Sequence, residues 1–123
     1  MLSNLLTPER VKVPLESQTK DEVLRELVQL AMPAAEAAAL ERMVSAVLER
    51  EMVLSTGIGS GIAIPHGRTS EVGSLILAAG VAPVPIDFDA LDGRPVSLFF
   101  MRRMPKNFSS SSLVRRSSER RTD

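Results

Sequence analysis

The single histidine of this chain, His66, lies in the segment STGIGSGIAIPHG, which spans residues 55–67. Because the chain has no cysteine, tyrosine or tryptophan, few other side chains could act as a nucleophile near neutral pH. The unperturbed pKa of imidazole lets it serve as a nucleophile or base without special activation. Glycines and a proline surround His66, and such residues shape the backbone for close approach. The first functional question is therefore what one histidine can do alone.

Other chemistries fit the residues around His66 less well. Residues 57–61 are rich in glycine but lack the G-x-G-x-x-G or Gly-Lys-Ser/Thr spacing of nucleotide-binding loops, and a tight loop with positive φ explains them equally. No Gly-x-Ser-x-Gly elbow of a serine hydrolase occurs. A metal site would need further His or Cys partners, and the acidic residues of 87–92 suit a solvated loop as well. We expect no metal and no cofactor, and a structural histidine remains the alternative to a functional one.

Length and composition predict one soluble, cytoplasmic domain. The 123 residues are 44% hydrophobic and 24% charged, as in ordinary globular proteins. No signal-like start and no apolar stretch of about 20 residues occur, so we expect no membrane insertion. Only 3% of the residues are aromatic, which disfavours a base-stacking surface and hence nucleic acid as a partner.

Two helices are predicted before the glycine-rich segment. Thr19 and Glu22 form a capping-box pattern for a helix that begins near Lys20. Pro33 is expected to start a second helix, residues 33–50, because proline is tolerated in the first helical turn. The buried stripe of the second helix would comprise Leu40, Met43, Val44, Val47 and Leu48.

Short apolar runs predict the strands of a central sheet. A first strand is expected at residues 11–13, followed by strands at 61–64, 75–79 and 96–100. His66 would follow the end of the second of these, and ligands meet reacting groups at strand ends in α/β folds. Pro83 and Pro85 should limit the third strand, and residues 86–93 should form a loop that closes at an Asp-Gly turn. Helices flanking a mixed β-sheet give an α/β sandwich.

The charge is divided unevenly along the chain. Residues 1–100 carry 8 basic and 13 acidic side chains, a net of −5, whereas residues 101–123 carry 7 basic and 2 acidic, a net of +5. The latter segment is rich in Ser and Arg and has no apolar period, so we predict a disordered basic tail. The domain would then span residues 1–100, and we hypothesise that residues 101–123 come from a shifted reading frame or are an aberrant terminus.

Four segments together resemble a known bacterial family. These are LERE (48–51), STGIG (55–59), GIAIPHG (61–67) and IDFDALDGRPV (86–96). They are similar to enzyme IIA of the fructose/mannitol/nitrogen-regulatory type (type 2) of the phosphoenolpyruvate-dependent phosphotransferase system. The resemblance covers about residues 3–100.

The resemblance implies roles for particular residues. His66 would accept a phosphoryl group from the phosphohistidine of the carrier HPr and pass it to enzyme IIB. Arg50 would steady the phosphorylated histidine, and its guanidinium fork suits phosphoryl oxygens; it would also complement a helix C-terminus. The Thr56 hydroxyl and backbone N–H groups of the glycine loop, such as that of Gly57, would add donors to the phosphoryl pocket.

The sequence also departs from that family. Type 2 enzyme IIA domains continue with a further strand and helix, and many carry a second histidine, whereas this chain has serine and arginine there. The domain would therefore lack its C-terminal part.

Two hypotheses for the function follow from the resemblance and from this departure. In the first, the protein is a phosphocarrier, either for sugar transport or for the nitrogen-type regulatory branch. A sugar carrier would be peripheral to the membrane through a IIB/IIC complex. The glycine after the histidine, Gly67, favours the nitrogen-type branch. In the second, it is an inactive remnant that acts only as a binding module.

Overall fold

The computed structural model describes residues 6–69 and 75–105, beginning with a single 3-10 turn, Pro8–Arg10. Helix α1 spans Lys20–Ala31, as the capping box predicts. The Glu22 N–H donates to Thr19 Oγ1 at 3.3 Å, and the Thr19 N–H donates to Glu22 Oε1 at 3.2 Å. Both exchanged bonds satisfy donors that the first helical turn would otherwise leave without partners.

Helix α2 spans Ala37–Val53, four residues later at its start and three later at its end than predicted. Pro33 lies instead in the turn between the helices, where the Ala35 N–H donates to the Met32 carbonyl at 3.2 Å. The chain must reverse direction before α2 can pack against α1, and the turn occupies those residues. Arg50 consequently lies inside the last turn of α2. Met43, Val44 and Val47 are buried as expected, and Leu40 and Leu48 are partly buried.

Within the described residues, six strands form one mixed sheet. They are β1 Val11–Lys12, β2 Gly57–Gly59, β3 Ile62–Ala63, β4 His66–Thr69, β5 Ile76–Ile86 and β6 Val96–Pro105. The strand order is β1-β5-β6-β3-β2, and β4 also pairs with β6. Strand β5 runs antiparallel to β6, whereas β3 and β4 run parallel to it. This α/β architecture confirms the predicted fold class.

His66 follows the end of β3, as predicted, but it also opens a further strand, β4, which the sequence did not predict. Strands β3 and β4 lie one after the other along β6, interrupted at Ile64 and Pro65. Pro65 has no N–H to contribute to the ladder, but its carbonyl accepts from the Arg102 N–H at 2.9 Å. The interruption therefore leaves the chain paired to β6, and His66 resumes the ladder.

The prolines do not end strand β5, contrary to expectation. It continues through Pro83 and Pro85 to Ile86, although the pairing with β6 shifts register between Val81 and Ile86. Both prolines are exposed, so the missing N–H groups fall at an irregularity where no ladder bond is needed. The loop that follows closes as predicted, with the Gly93 N–H donating to the Ala90 carbonyl at 2.9 Å.

Strand β6 extends five residues beyond Phe100, to Pro105. Met101 and Met104 are buried, whereas Arg102 and Arg103 are partly buried. The change in composition at residue 101 therefore lies within a strand and does not mark where the sheet ends. The remainder of the predicted tail, residues 106–123, falls outside the described residues.

The core lies between the sheet and the two helices. Phe88 and Phe99 meet edge to face at its centre, with ring centroids 5.4 Å apart. Val23, Leu27 and Val47 from the helices are fully buried against the sheet. Among the described helices, none is both long and apolar enough to cross a bilayer.

Candidate functional site

His66 and Arg50 meet where the last turn of α2 packs beside β4. Arg50 Nε lies 3.1 Å from His66 Nε2, and Arg50 Nη1 donates to the Leu54 carbonyl at 2.6 Å. The second bond holds the guanidinium against the end of its own helix, so the fork is oriented before any ligand arrives. The structure thus brings together the two residues that the resemblance singles out.

The hydrogen bonds of the ring assign its tautomer. Guanidinium nitrogens only donate, so His66 Nε2 accepts from Arg50 and carries no proton. His66 Nδ1 lies 3.1 Å from the Ile64 carbonyl and is therefore the protonated nitrogen. The ring is therefore a neutral imidazole whose Nε2 lone pair accepts from Arg50. Nε2 is the nitrogen that could act as a nucleophile once this hydrogen bond is released.

The surroundings of His66 favour this neutral form. Burial lowers the pKa of His66 most, because a charged ring loses hydration there. The Ile64 carbonyl raises the pKa, but the positive charges of Arg102 and Arg50 lower it further, and the net pKa lies below the ordinary value. The ring is therefore held neutral at physiological pH.

Gly67 allows α2 to approach β4 closely enough for this contact. A methyl group at Gly67 would lie 2.8 Å from Val47 Cγ2 and 3.3 Å from the Val47 nitrogen. Val47 lies one helical turn before Arg50, so the position of Arg50 depends on this close packing. The glycine after the histidine is thus required by the approach of the helix.

Thr56 has a buried partner of its own. Its hydroxyl donates to Glu51 Oε2 at 2.6 Å, and its backbone N–H donates to Glu51 Oε1 at 2.7 Å. Lys20 Nζ lies 3.3 Å from the same carboxylate. The hydroxyl hydrogen is therefore engaged with Glu51 and is not directed at His66.

Gly57 is likewise committed to the loop itself. Its N–H donates to Ser55 Oγ at 3.0 Å. A methyl group at Gly57 would lie 2.7 Å from Ala90 Cβ, so a glycine is needed for the two loops to meet. The Ser60 N–H also has a partner, Asp92 Oδ2, at 3.0 Å. These donors of the glycine-rich loop are used inside the fold.

Sequence reasoning missed two residues beside the site. Glu51 is only 6% exposed and joins α2 to the glycine-rich loop. The feature of the sequence that could have indicated this contact is the position of Glu51, five residues before Thr56. Arg102 is the direct pairing partner of His66 in β6, but it was assigned to the tail, and no local pattern reveals such a pairing. No group of three His, Asp or Glu side chains within residues 6–69 and 75–105 is placed to hold a metal ion.

Comparisons with known proteins agree with this architecture. A nitrogen regulatory protein of Pseudomonas aeruginosa is 38% identical over 105 residues, which cover 85% of this chain and 68% of that protein. The fructose-specific EIIABC component of the phosphotransferase system of Bacillus subtilis is 38% identical over 100 residues, which cover 81% of this chain but 16% of that protein. The crystal structure of nitrogen regulatory protein IIA-Ntr from Neisseria meningitidis superposes with a TM-score of 0.80 at 30% identity, covering 95% of this chain and 80% of that one.

The fold and the relatives place this protein in the IIA class of the phosphotransferase system. Residues 4–115 match the family described as phosphoenolpyruvate-dependent sugar phosphotransferase system, EIIA 2, and the chain belongs to that family. Membership supports a general role in phosphoryl transfer or in the associated regulation. The match extends past residue 100, and the hypothesis of a shifted reading frame stays a prediction.

Proposed function

We propose that this protein is a phosphocarrier in which His66 Nε2 accepts a phosphoryl group from the phosphohistidine of HPr. The observation that carries the proposal is the pair of contacts on the ring. Arg50 Nε is 3.1 Å from Nε2, and the Ile64 carbonyl is 3.1 Å from Nδ1. A nucleophile with a defined lone pair thus lies directly against a group that binds phosphoryl oxygens.

The transfer needs positioning and charge neutralisation rather than a general base. As the phosphorus–nitrogen bond to HPr breaks, a new bond forms at Nε2 of the neutral ring, and no proton has to leave Nε2. The Nδ1 proton stays on the ring, where the Ile64 carbonyl stabilises the positive charge that develops. Arg50 turns its Nε–H from the ring nitrogen to a phosphoryl oxygen, so one donor serves both states.

Thr56 and Gly57 have indirect roles in this proposal. The Thr56 hydroxyl is engaged with Glu51 and the Gly57 N–H with Ser55. We therefore assign both residues to the frame that holds the loop against α2, and assign the phosphoryl contacts to Arg50.

Exposed apolar side chains beside the site suit a protein partner. Met52, Val53 and Leu54 at the end of α2 are 86%, 82% and 56% exposed. The Leu54 carbonyl also accepts from Arg50, which ties this apolar surface to the site. Such a patch is typical of transient docking, as a carrier that exchanges phosphoryl groups with HPr requires.

The acceptor from phospho-His66 is enzyme IIB or a regulatory target protein. The Pseudomonas aeruginosa and Neisseria meningitidis proteins, both named as nitrogen regulatory, favour the regulatory branch. The fructose-specific protein of Bacillus subtilis supports the sugar branch. Incubating the phosphorylated protein with a purified fructose-type IIB separates them, because only a sugar carrier should lose its phosphoryl group within seconds to minutes.

The first test is intact mass after incubation with phosphoenolpyruvate, enzyme I and HPr. We expect one added phosphoryl group that is labile in acid, as phosphohistidine is, and absent from His66→Ala. Because His66 is the sole histidine, no other imidazole could carry an acid-labile phosphoryl group.

Arg50→Gln should slow phosphoryl uptake by about a hundredfold. Arg94→Gln, in an exposed loop, should not slow it. A folded wild-type protein that gains no mass would contradict the proposal and favour an inactive remnant that acts as a binding module.

A further inference from the structure

Arg102 lies beside His66 in the sheet. The two residues are directly paired in the parallel ladder of β4 and β6. Since side chains alternate between the two faces of a sheet, paired residues share a face, and Arg68, two residues after His66, shares it as well. Arg103 lies on the other face, where its Nη1 donates to the Ala31 carbonyl of α1 at 3.2 Å.

Arg50 and Arg102 therefore lie close enough to the His66 ring to act on it, and Arg68, which is exposed, lies close enough to act on Arg102. Burial lowers the pKa of Arg102 most, and the charges of Arg50 and Arg68 lower it further. The charges of Arg102 and Arg50 in turn act on His66. Such mutual repulsion is costly in a partly buried site, and it disappears when an anion binds between the cations.

The described residues do not satisfy the buried part of the Arg102 side chain. Its Nε is buried and has no hydrogen-bond acceptor among the described residues. Glu51, the carboxylate that acts on His66, is already engaged by Thr56 and Lys20. A buried donor without an acceptor costs free energy, and a bound oxyanion would supply the missing acceptor.

We propose that Arg102, with Arg50 and Arg68, forms an anion-binding cluster that holds the phosphoryl group carried by His66. The choice of ligand rests on the proposed function; the cluster itself rests on the arrangement of the arginines. Arg50 would contact the phosphoryl group from α2 and Arg102 from β6, so the dianion is bound from two elements. Guanidinium forks match the oxygens of a tetrahedral oxyanion.

The experiment titrates the unphosphorylated protein with inorganic phosphate and follows the ring ¹H–¹⁵N signals of His66, the sole imidazole of the chain. Chloride at matched ionic strength is the reference. We expect a saturable shift with phosphate in the wild type and about a tenfold weaker Kd in Arg102→Leu. Arg103→Leu is the matched control, because Arg103 is also partly buried with an unpartnered Nε but lies on the other face.

Three results would overturn the cluster: no saturable response in the wild type, an unchanged Kd in Arg102→Leu, or an equal loss in Arg103→Leu. Thermal unfolding verifies that each variant is folded. If Arg102→Leu does not fold, Arg102→Gln, which loses the charge and keeps a polar side chain, is judged by the same criterion.

The same samples separate this inference from the proposed function. If the wild type binds phosphate through Arg102 but takes no phosphoryl group from phospho-HPr, the carrier role fails and the anion site stands. If His66 is phosphorylated while Arg102→Leu binds phosphate as the wild type does, the carrier role stands and Arg102 is not part of the site. If the carrier role and the anion site are both supported, we expect phospho-His66 to lose its phosphoryl group several-fold faster in Arg102→Leu than in Arg103→Leu.

Discussion

At the scale of single residues, Arg50 donates to the lone pair of His66 Nε2, the nitrogen that we propose as the phosphoryl acceptor. The contact between Arg50 Nε and His66 Nε2 holds the ring in one tautomer, and the Ile64 carbonyl holds it from the other nitrogen. In the proposed transfer, attack of Nε2 on phosphorus therefore requires Arg50 to move aside.

Phosphoryl uptake should depend on pH through the neutral form of His66. Burial above all, with the charges of Arg102 and Arg50, holds the pKa of His66 below its ordinary value. We therefore expect a rate that is constant above about pH 6.5 and falls only at lower pH, as the ring gains a proton. Initial rates of uptake from phosphoramidate, a small donor that avoids the titration of HPr, measure this. A midpoint above the ordinary histidine pKa would contradict it.

The lowered pKa of His66 also makes the stability of the fold depend on pH. Because the folded protein holds His66 neutral, the unfolded chain binds more protons in acid. This contribution to stability is present above the pKa of the unfolded state, about 6.5, and is lost as the pH falls through the lowered pKa of the folded state.

At the scale of elements, the site is made by one helix packing against one short strand. Helix α2 carries Arg50 and Glu51, β4 begins with His66, and Gly67 is the point of contact between them. The Glu51 carboxylate ties α2 to the start of the glycine-rich loop. The relative position of these three segments is thus set by contacts that do not include the His66 side chain.

Gly67→Ala should damage the site by displacing α2. The added methyl group would lie 2.8 Å from Val47 Cγ2, so the helix must shift, at a cost of about 1–3 kcal/mol in the free energy of unfolding. Since Arg50 is one turn further along, we expect phosphoryl uptake per folded molecule to slow by about ten- to a hundredfold. Denaturant unfolding and initial uptake rates measure the two effects.

Gly80→Ala is the matched control for that variant. A methyl group there would lie 2.6 Å from Leu15 Cδ2, away from Arg50. It should also lower stability, but uptake per folded molecule should stay at the wild-type level. If both variants slowed uptake equally, loss of packing rather than displacement of Arg50 would be the cause.

At the scale of the whole molecule, the segment after β1 is held to α1 by the buried carboxylate of Glu26. Glu26 accepts from the backbone N–H groups of Glu16 and Ser17 at 3.0 Å each, and from the Ser17 hydroxyl at 2.7 Å. Lys12 Nζ lies 2.7 Å away. Burial raises the pKa of Glu26, but these contacts outweigh it and bring the pKa to about 2.

Glu26→Gln should therefore lower stability in a pH-dependent way. The contribution of Glu26 is present above its ordinary pKa of 4.5 and is lost as the pH falls toward about 2. We expect the variant to lose about 2 kcal/mol at neutral pH, with the difference from wild type shrinking as the carboxylate is protonated. Thermal or urea unfolding across pH 7 to 2 tests this. Glu41→Gln, which removes an exposed pair with Arg25, should change stability little at any pH.

The elements set by nearby residues could be predicted from the sequence. The capping box at Thr19 and the Asp-Gly turn before β6 depend on partners within a few positions, so their patterns are readable locally. The same holds for the apolar stripe of α2 and for His66 as the sole imidazole. Proximity of Arg50 to His66 was implied by the family resemblance, and the structure supplies its geometry.

The remaining features of the fold and the site depend on contacts between residues that are distant in the sequence. Partners across a sheet leave no trace in the neighbouring sequence, so the register that sets Arg102 beside His66 was invisible. The two arginines interrupt the apolar pattern of β6, although Met101 and Met104 are buried on opposite faces of the strand. The strand was therefore expected to end too early. The partner of the Thr56 hydroxyl, the tautomer of His66 and the need for Gly67 likewise depend on which atoms meet in three dimensions. The sequence alone identified His66 as the candidate nucleophile and predicted the fold class. Only the tertiary structure determined which cations lie near His66, because electrostatic and packing contacts depend on distance in space rather than along the chain.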